Sequence, residues 1–514
     1  MAMAIRKSNV IEVLVMSIML MLVTMSSLVK AETIRPISHY NRTSFPRDFV
    51  FGTASSAYQF EGATKEDGKG PNIYDIFTHK FPEKILDRSN GDVADDFYHR
   101  YKGDVELMNI IGMNAFRFSI SWARILPRGK LSGGVNKAGI TFYNNLINQL
   151  LSTGIQPFVT IFHWDLPQAL EDEYGGFLSP HIVDDFKDFA ELCFKEFGDR
   201  VKHWITMNEP WAYSYGGYDG GLIAPGRCSA WMNAGCPAGD SGTEPYIVSH
   251  NLIISHAAAV KVYKDKYQGY QKGQIGITLV CFWAHPFSNT KADKEAAQRA
   301  IDFMYGWFIN PIVHGKYPNI MKKLLGKRLP TFTQEQVKLI KGSYDFIGLN
   351  YYITRYAINV PSANSVNLSY TTDAQVNFTT SRNGISIGKP TGVPGFYVYP
   401  KGLTELLIYT KEKYNDPIIY ITENGMGDQN NETTKEGIKD PQRISFYQRH
   451  LVAVENAIKD GVNVKGFFCW ALMDNFEWNS GYTMRFGLVY VDYKDGLKRY
   501  LKSSALWFKK FLLK

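Results

Sequence analysis

The sequence predicts a single-domain α/β fold, a (β/α)8 TIM barrel with long βα loops, and three observations predict it. Apolar runs rich in Val, Ile, Phe and Tyr recur eight times, helix-period segments lie between them, and no linker-like tract divides the chain. The runs are Phe49–Tyr58, Met113–Trp122, Ile155–Trp164, His203–Asn208, Gln274–Trp283, Asp345–Tyr352, Pro417–Glu423 and Val462–Leu472. Gly, Pro or Asn bounds them, as expected of buried parallel strands. The helical segments are Val93–Ile111, Lys137–Ser152, Ile182–Phe197, Pro245–Lys266, Lys294–Phe308, Gly402–Tyr414 and Pro441–Asp460. An open doubly wound sheet would show fewer strands and a Gly-rich phosphate turn, and no Gly-x-Gly-x-x-Gly follows a strand here. The polar stretch Ser362–Gly384 reads as a long surface loop.

Composition narrows the function class. With 514 residues, 45% of them hydrophobic and 21% charged, the chain is neither disordered nor short of a core. Five cysteines cannot be its main staple. The net charge of +8 is spread thinly, without a run of like charges, which argues against a nucleic-acid partner. No Cys-x-x-Cys and no His pair at helical ligand spacing is present, so neither a metal nor another cofactor is expected.

Arg6 and Lys7 precede a mostly apolar stretch from Val13 to Val29, and Ala31 offers a small-residue cleavage site. Residues 1–31 read as a cleaved secretory signal, leaving 32–514 as the mature domain, with a signal anchor as the competing reading. The expected destination is secretion or delivery to an acidic lumen, with no membrane partner after cleavage. Sequons at Asn41, Asn367, Asn377 and Asn431 are candidate glycosylation sites. Cys228 and Cys236 could close a small disulfide, whereas Cys193, Cys281 and Cys469 read as buried thiols.

Polar residues gather where the apolar runs end. The third ends His163-Trp164-Asp165, the fourth Asn208-Glu209-Pro210, the sixth Asn350-Tyr351-Tyr352 and the seventh Thr422-Glu423-Asn424-Gly425. The eighth leads into Trp470 and then Asp474-Asn475-Phe476-Glu477-Trp478. In a barrel the carboxyl ends of all strands share one rim, so Glu209 and Glu423 can face each other across one pocket. Two facing carboxyls with indole rings suit glycoside hydrolysis: one protonates the leaving oxygen, the other attacks the anomeric carbon, and indoles stack on the sugar.

These residues also carry a resemblance. The chain resembles the glycoside hydrolase family 1 β-glucosidases, in their secreted plant branch, from about Phe45 to Phe511. The matching blocks include Phe51-Gly-Thr-Ala-Ser-Ser-Ala-Tyr-Gln59-Phe-Glu61-Gly, Phe116-Arg117-Phe-Ser-Ile-Ser-Trp122-Ala-Arg124, Ala224-Pro-Gly-Arg227 and Ile421-Thr-Glu423-Asn-Gly425. The resemblance implies Glu423 as nucleophile, Glu209 as acid/base and Asn208 as the holder of the 2-hydroxyl. It implies Gln59, His163, Glu477 and Trp478 as ligands of the other hydroxyls and Trp470 as the stacking platform. Tyr352, counted also among the sugar-binding groups, and Arg117 are implied to hydrogen-bond the nucleophile, with Asn350 orienting the carboxyl pair. The implied reaction is retaining hydrolysis of O-β-D-glucosides of plant secondary metabolites. Its carboxyls stand about 5–5.5 Å apart and its pH profile is a bell centred in mild acid.

The resemblance implies a small-molecule β-glucoside as partner and leaves room for a homo-oligomer. Relatives that cleave S-glucosides often carry Gln at the position of Glu209, or basic residues soon after the nucleophile. Met426–Asn431 has none, so O-glucosides are favoured. A transglucosidase would keep the same residues, and a non-catalytic sugar binder would have lost one glutamate. On the leaving-group side, Gly395 stands where relatives usually place a Trp, and Gly216, Ile223 and Asn479 replace aromatic positions. A wider mouth tolerant of bulky or already glycosylated leaving groups is the expectation.

Overall fold

In the computed structural model, residues 40–361 and 366–513 are described. Residues 1–31, read above as a secretory signal, lie outside them. Arg42–Ser44 forms a 3-10 turn, and Phe45–Leu513 forms one compact unit.

Eight parallel strands close this unit into a barrel in chain order. They are β1 (Val50–Ala54), β2 (Ala115–Ser119), β3 (Gln156–Phe162), β4 (His203–Asn208), β5 (Gln274–Val280), β6 (Phe346–Asn350), β7 (Ile419–Asn424) and β8 (Val464–Trp470), and β8 pairs back onto β1. Every one falls within an expected run or within a residue of it. The runs overshoot because apolar character continues past the last ladder hydrogen bond into the rim loops. In the first run, for example, Ala57–Phe60 is a helical turn.

The barrel is packed, not hollow. Val50, Ala115, Phe158, Ile205, Phe346, Tyr420 and Phe468 fill its interior, with the Phe158 ring stacked 4.0 Å from the His203 ring. Burying each large side chain contributes about 1.5–3 kcal/mol. This plug closes the lower end and leaves the carboxyl ends of the strands as the open face.

The major helices between strands are α1 (Phe97–Ile111), α2 (Lys137–Ser152), α3 (Ile182–Phe197), α4 (Glu244–Val262), α5 (Lys291–Ile301), α6 (Pro400–Lys413) and α7 (Pro441–Lys459), followed by α8 (Ser503–Leu512). In α3, Ile182, Phe186, Phe189, Ala190, Cys193, Phe194 and Phe197 recur at helical spacing and are buried. Gly112 ends α1 at φ +88°, a left-handed cap that a side chain would resist. The expected fourth and fifth helices run on beyond α4 and α5 through π-turns at Tyr263–Tyr267 and Asp302–Gly306. α8 follows the antiparallel pair Val489–Asp492 and Lys498–Leu501, which lies outside the eight barrel runs, and it is not among the expected helices; Ala505, Phe508 and Phe511 bury its inner face.

Residues 362–365 of the expected loop Ser362–Gly384 lie outside the described residues, and the rest of it is not simply a loop. It contains a helical turn at Tyr370–Asp373 and the strand Val376–Thr379, which pairs with Thr354–Asn359, itself paired with Trp283–Pro286. Tyr370 and Asp373 anchor it: Tyr370 donates to the Phe303 carbonyl, and Asp373 accepts from Arg328 and Tyr246. Polar composition concealed these anchors because their partners lie far away in sequence. Among the described residues, no helix is long and apolar enough to cross a membrane, and no cluster of three His, Cys, Asp or Glu could hold a metal.

Candidate active site

Glu209 follows the last residue of β4 in the left-handed region, at φ +41° and ψ +62°. Its amide donates to the Thr278 carbonyl on β5 at 3.0 Å, and Pro210 starts the next helix. Trp164 and Trp478 also have positive φ, +74° and +51°. Such conformations cost about 1–3 kcal/mol each and persist where surrounding contacts over-determine them. Glu423 lies within β7, in register with Asn350 on β6.

One buried network joins the two glutamates. Arg117, fully buried on β2, donates to Glu423 Oε1 at 2.5 Å and to Asn208 Oδ1 at 2.6 Å. Asn350 Nδ2 donates to Asn208 Oδ1 at 3.2 Å and to Glu209 Oε1 at 2.6 Å. Tyr352 donates to the other oxygen of Glu423, Oε2, at 2.6 Å. Glu423 is thus an acceptor at both oxygens, the pattern of a carboxylate. A buried guanidinium requires such an anion, because an unpaired one would carry its whole desolvation penalty.

Sequence reasoning missed what sets the amides. Thr278 Oγ1 donates to Thr422 Oγ1 at 3.2 Å, and Thr422 Oγ1 donates to Asn350 Oδ1 at 2.8 Å. This hydroxyl chain turns the Asn350 amide group toward Glu209. Inward threonines on the two strands that flank β6 were the available signal, but hydroxyl direction is not written in residue type.

The expected sugar ligands come together beside the pair. Gln59 Nε2 donates to the Phe476 carbonyl at 2.9 Å and to Asn475 Oδ1 at 3.1 Å, with Glu477 Oε2 at 3.5 Å, while Ser56 holds its Oε1 at 2.7 Å. Trp470 Nε1 donates to Glu477 Oε1 at 3.2 Å. The His163 ring lies between two indoles, 6.0 Å from Trp470 and 5.8 Å from Trp478. Its Nε2 accepts from Asn208 Nδ2 at 3.0 Å, which leaves the proton on Nδ1, an atom with no partner among the described residues. Trp164 packs 4.6 Å from Trp478 and donates its indole N–H to the Asn208 carbonyl at 2.9 Å.

Burial sets the proton inventory. The Glu209 carboxyl is pushed up to about 8, first by burial and then by the charge of Glu423, against the pull of Asn350 and Arg117. Glu477 is raised to about 8 by burial, which outweighs its bond from Trp470; the charge of Glu423 adds to the rise. Burial and then Arg117 depress His163 well below the usual imidazole range, so it is neutral. The site therefore offers a protonated carboxyl on Glu209 and an acceptor-only one on Glu423, held by one set of bridges.

At the mouth, Ile223 occupies the space a side chain at Gly216 would take: a Cβ there would sit 2.8 Å from Ile223 Cγ1. The Gly395 position is open, and the next residue, Phe396, sets its ring 6.2 Å from Tyr352. Asn479 uses its carbonyl to accept the Leu86 amide. Cys228 and Cys236 form the expected disulfide beside Gly221, and Cys193, Cys281 and Cys469 are free and buried. Asn377 and Asn431 are exposed, whereas Asn41 and Asn367 are half-buried.

A parallel barrel whose open end holds two bridged glutamates among indoles defines a glycoside hydrolase site. The family model of glycosyl hydrolase family 1 matches residues 41–514, and the chain belongs to that family. Beta-glucosidase 12 of Oryza sativa subsp. indica is 61% identical over 92% of this chain and 93% of its own. Furcatin hydrolase of Viburnum furcatum is 62% identical over 91% of this chain and 86% of its own. The solved structure of a rice beta-glucosidase mutant, in a covalent complex with Glc from GA4GE, superposes with a TM-score of 0.91 at 51% identity. It covers 92% of this chain and all of that one.

Proposed function

We propose that the protein is a retaining β-glucosidase that hydrolyses O-β-D-glucosides of plant secondary metabolites through a covalent glucosyl-enzyme. The observation that carries this reading is the continuous bridge Glu423–Arg117–Asn208–Asn350–Glu209, which ties both carboxyls into one buried network at the carboxyl ends of the strands. Glu423, fixed by Arg117 and Tyr352, attacks the anomeric carbon. Glu209 gives its proton to the leaving oxygen. Once Glu423 becomes a neutral ester, the repulsion that helped keep Glu209 protonated ends, so Glu209 then takes a proton from water and the sugar is released with retained configuration. Asn208, Gln59, His163, Glu477 and Trp478 hold the hydroxyls, and Trp470 forms the apolar platform.

The Val13–Val29 stretch and the disulfide support a secretory route to the apoplast or vacuole, with Asn41, Asn367, Asn377 and Asn431 as glycan acceptors. The open Gly395 position supports acceptance of bulky leaving groups. The test is Glu423→Gly with 4-nitrophenyl β-D-glucoside. The variant is expected to be inactive alone and to form α-glucosyl azide when azide is added. Wild-type protein that binds glucosides without turnover, together with no rescue, would make it a sugar binder.

A further inference from the structure

Arg355 lies on the strand Thr354–Asn359, three residues after Tyr352, whose hydroxyl rests on Glu423. It is half-buried and differs from the buried arginines nearby. Arg117 has Glu423, Arg124 has Glu61, Arg443 has Asp428 and Asp440, and Arg485 has Asp474. Arg355 has no carboxylate and no hydrogen-bond acceptor among the described residues, and its Nε is buried without a partner. Its guanidinium lies over the Phe282 ring at 5.6 Å.

One edge of this cation faces a gap. A Cβ built on Gly395 would meet nothing within 4 Å except Arg355 Nη2, at 3.9 Å. The gap adjoins the reaction centre, because Phe396 follows Gly395 and its ring is 6.2 Å from Tyr352. An aromatic cluster continues from Phe282: Phe282 packs edge-on against Trp211 at 5.7 Å, and Trp211 stacks on Tyr215 at 5.0 Å. Trp211 and Tyr215 belong to the helix that begins directly after Glu209. The Tyr215 phenol is the titratable group that faces Arg355, and burial favours its neutral form.

A half-buried cation without a counter-ion keeps its desolvation cost until an anion meets it. We propose that Arg355 is a specificity-determining residue of the leaving-group site and selects glucosides whose aglycone is an aromatic acid, its carboxylate taken by the guanidinium and its ring by the aromatic wall. This rests on the glucosidase reading above and names the substrate class for that same site. The planar fork of arginine suits a carboxylate bidentately, and the open Gly395 position gives the group room to reach it.

The test compares kcat/KM for 2-, 3- and 4-carboxyphenyl β-D-glucosides with that for their neutral methyl esters, in wild type, Arg355→Met, Arg355→Lys and Gly395→Asp. Taking the acid-to-ester ratio in each protein and then comparing proteins cancels the intrinsic reactivity of each leaving group. The ratio is expected to fall about 10- to 100-fold in Arg355→Met for at least one isomer, the range for losing a hydrogen bond to a charged group. Arg355→Lys should recover part of it. Gly395→Asp, at φ +78°, a left-handed conformation that Asp enters at less strain than most side chains, supplies an internal counter-ion and should lower the ratio with Arg355 itself unchanged. An unchanged ratio for all three isomers in both the Met and Asp variants overturns the proposal while leaving the glucosidase reading intact. Wild-type protein that turns over none of the neutral esters nor 4-nitrophenyl β-D-glucoside overturns both.

Discussion

Replacing Glu209 by Gln removes one proton and almost no volume, and its consequences depend on the leaving group. A glutamate at its ordinary value of 4.5 would be protonated in only about 3% of molecules at pH 6. Burial and the neighbouring Glu423 charge raise Glu209 well above that value, so the competent acid form predominates at the same pH. The amide keeps an acceptor but cannot give a proton. Pre-steady-state kinetics with 2,4-dinitrophenyl and methyl β-D-glucosides, from pH 4 to 9, read the effect. For the methyl glucoside, glucosylation should slow about 10²–10⁴-fold, the usual share of general-acid catalysis. The dinitrophenyl glucoside, whose leaving group needs no proton, should still show a rapid burst. Deglucosylation should then be slow, and azide should relieve it by forming β-glucosyl azide. The basic limb of kcat/KM should vanish in the variant. Glu477 has a carboxyl at a similar level, so Glu477→Gln is the control: its profile should keep that limb. Equal losses for both leaving groups, or a basic limb that survives in Glu209→Gln, would refute the assignment of the acid.

Two further outcomes follow from the geometry. Tyr352→Phe deletes the 2.6 Å donation to Glu423, a charge-assisted bond worth about 1.5–3 kcal/mol, so kcat should fall about 10- to 150-fold; circular dichroism should show an unchanged fold, and activity within twofold of wild type would contradict the role. Glu477 binds its proton more tightly folded than unfolded, so the native state loses stability relative to the unfolded chain as pH rises from about 4.5 to about 8. Glu477→Gln removes that loss. By calorimetry the variant should match wild type below pH 4 and gain on it up to pH 8, by at most ~5 kcal/mol, and a gain toward low pH would be the wrong sign.

Much of the site was legible because barrel topology converts sequence position into spatial position. A polar residue closing an apolar run must sit on the rim, and this holds for Asn208, Glu209, Asn350 and Glu423 without knowledge of any contact. Gln59 and Glu477 were harder, since each lies in a loop. They meet through the Phe476 carbonyl and the Asn475 side chain, a pairing across more than four hundred residues. The helical turn and strand within Ser362–Gly384 were hidden for a related reason, as their anchors, Arg328 and Phe303, come from other segments. Helix α8 closes on its own apolar face but carries no strand after it, and the alternating pattern had no place for it.

The sequence by itself determined the barrel, the rim, the pair of glutamates and the disulfide cysteines, because hydrophobic period, strand-end chemistry and residue type are local properties. Only the tertiary structure decided which donor meets which acceptor: Arg117 bridging Glu423 and Asn208, the threonine chain that turns Asn350, and His163 left with a free Nδ1. It alone also left Arg355 without a counter-ion. The physical reason is that a buried charge or proton is governed by the few atoms within hydrogen-bond reach, and in a closed barrel those atoms come from strands that are neighbours in space but far apart along the chain.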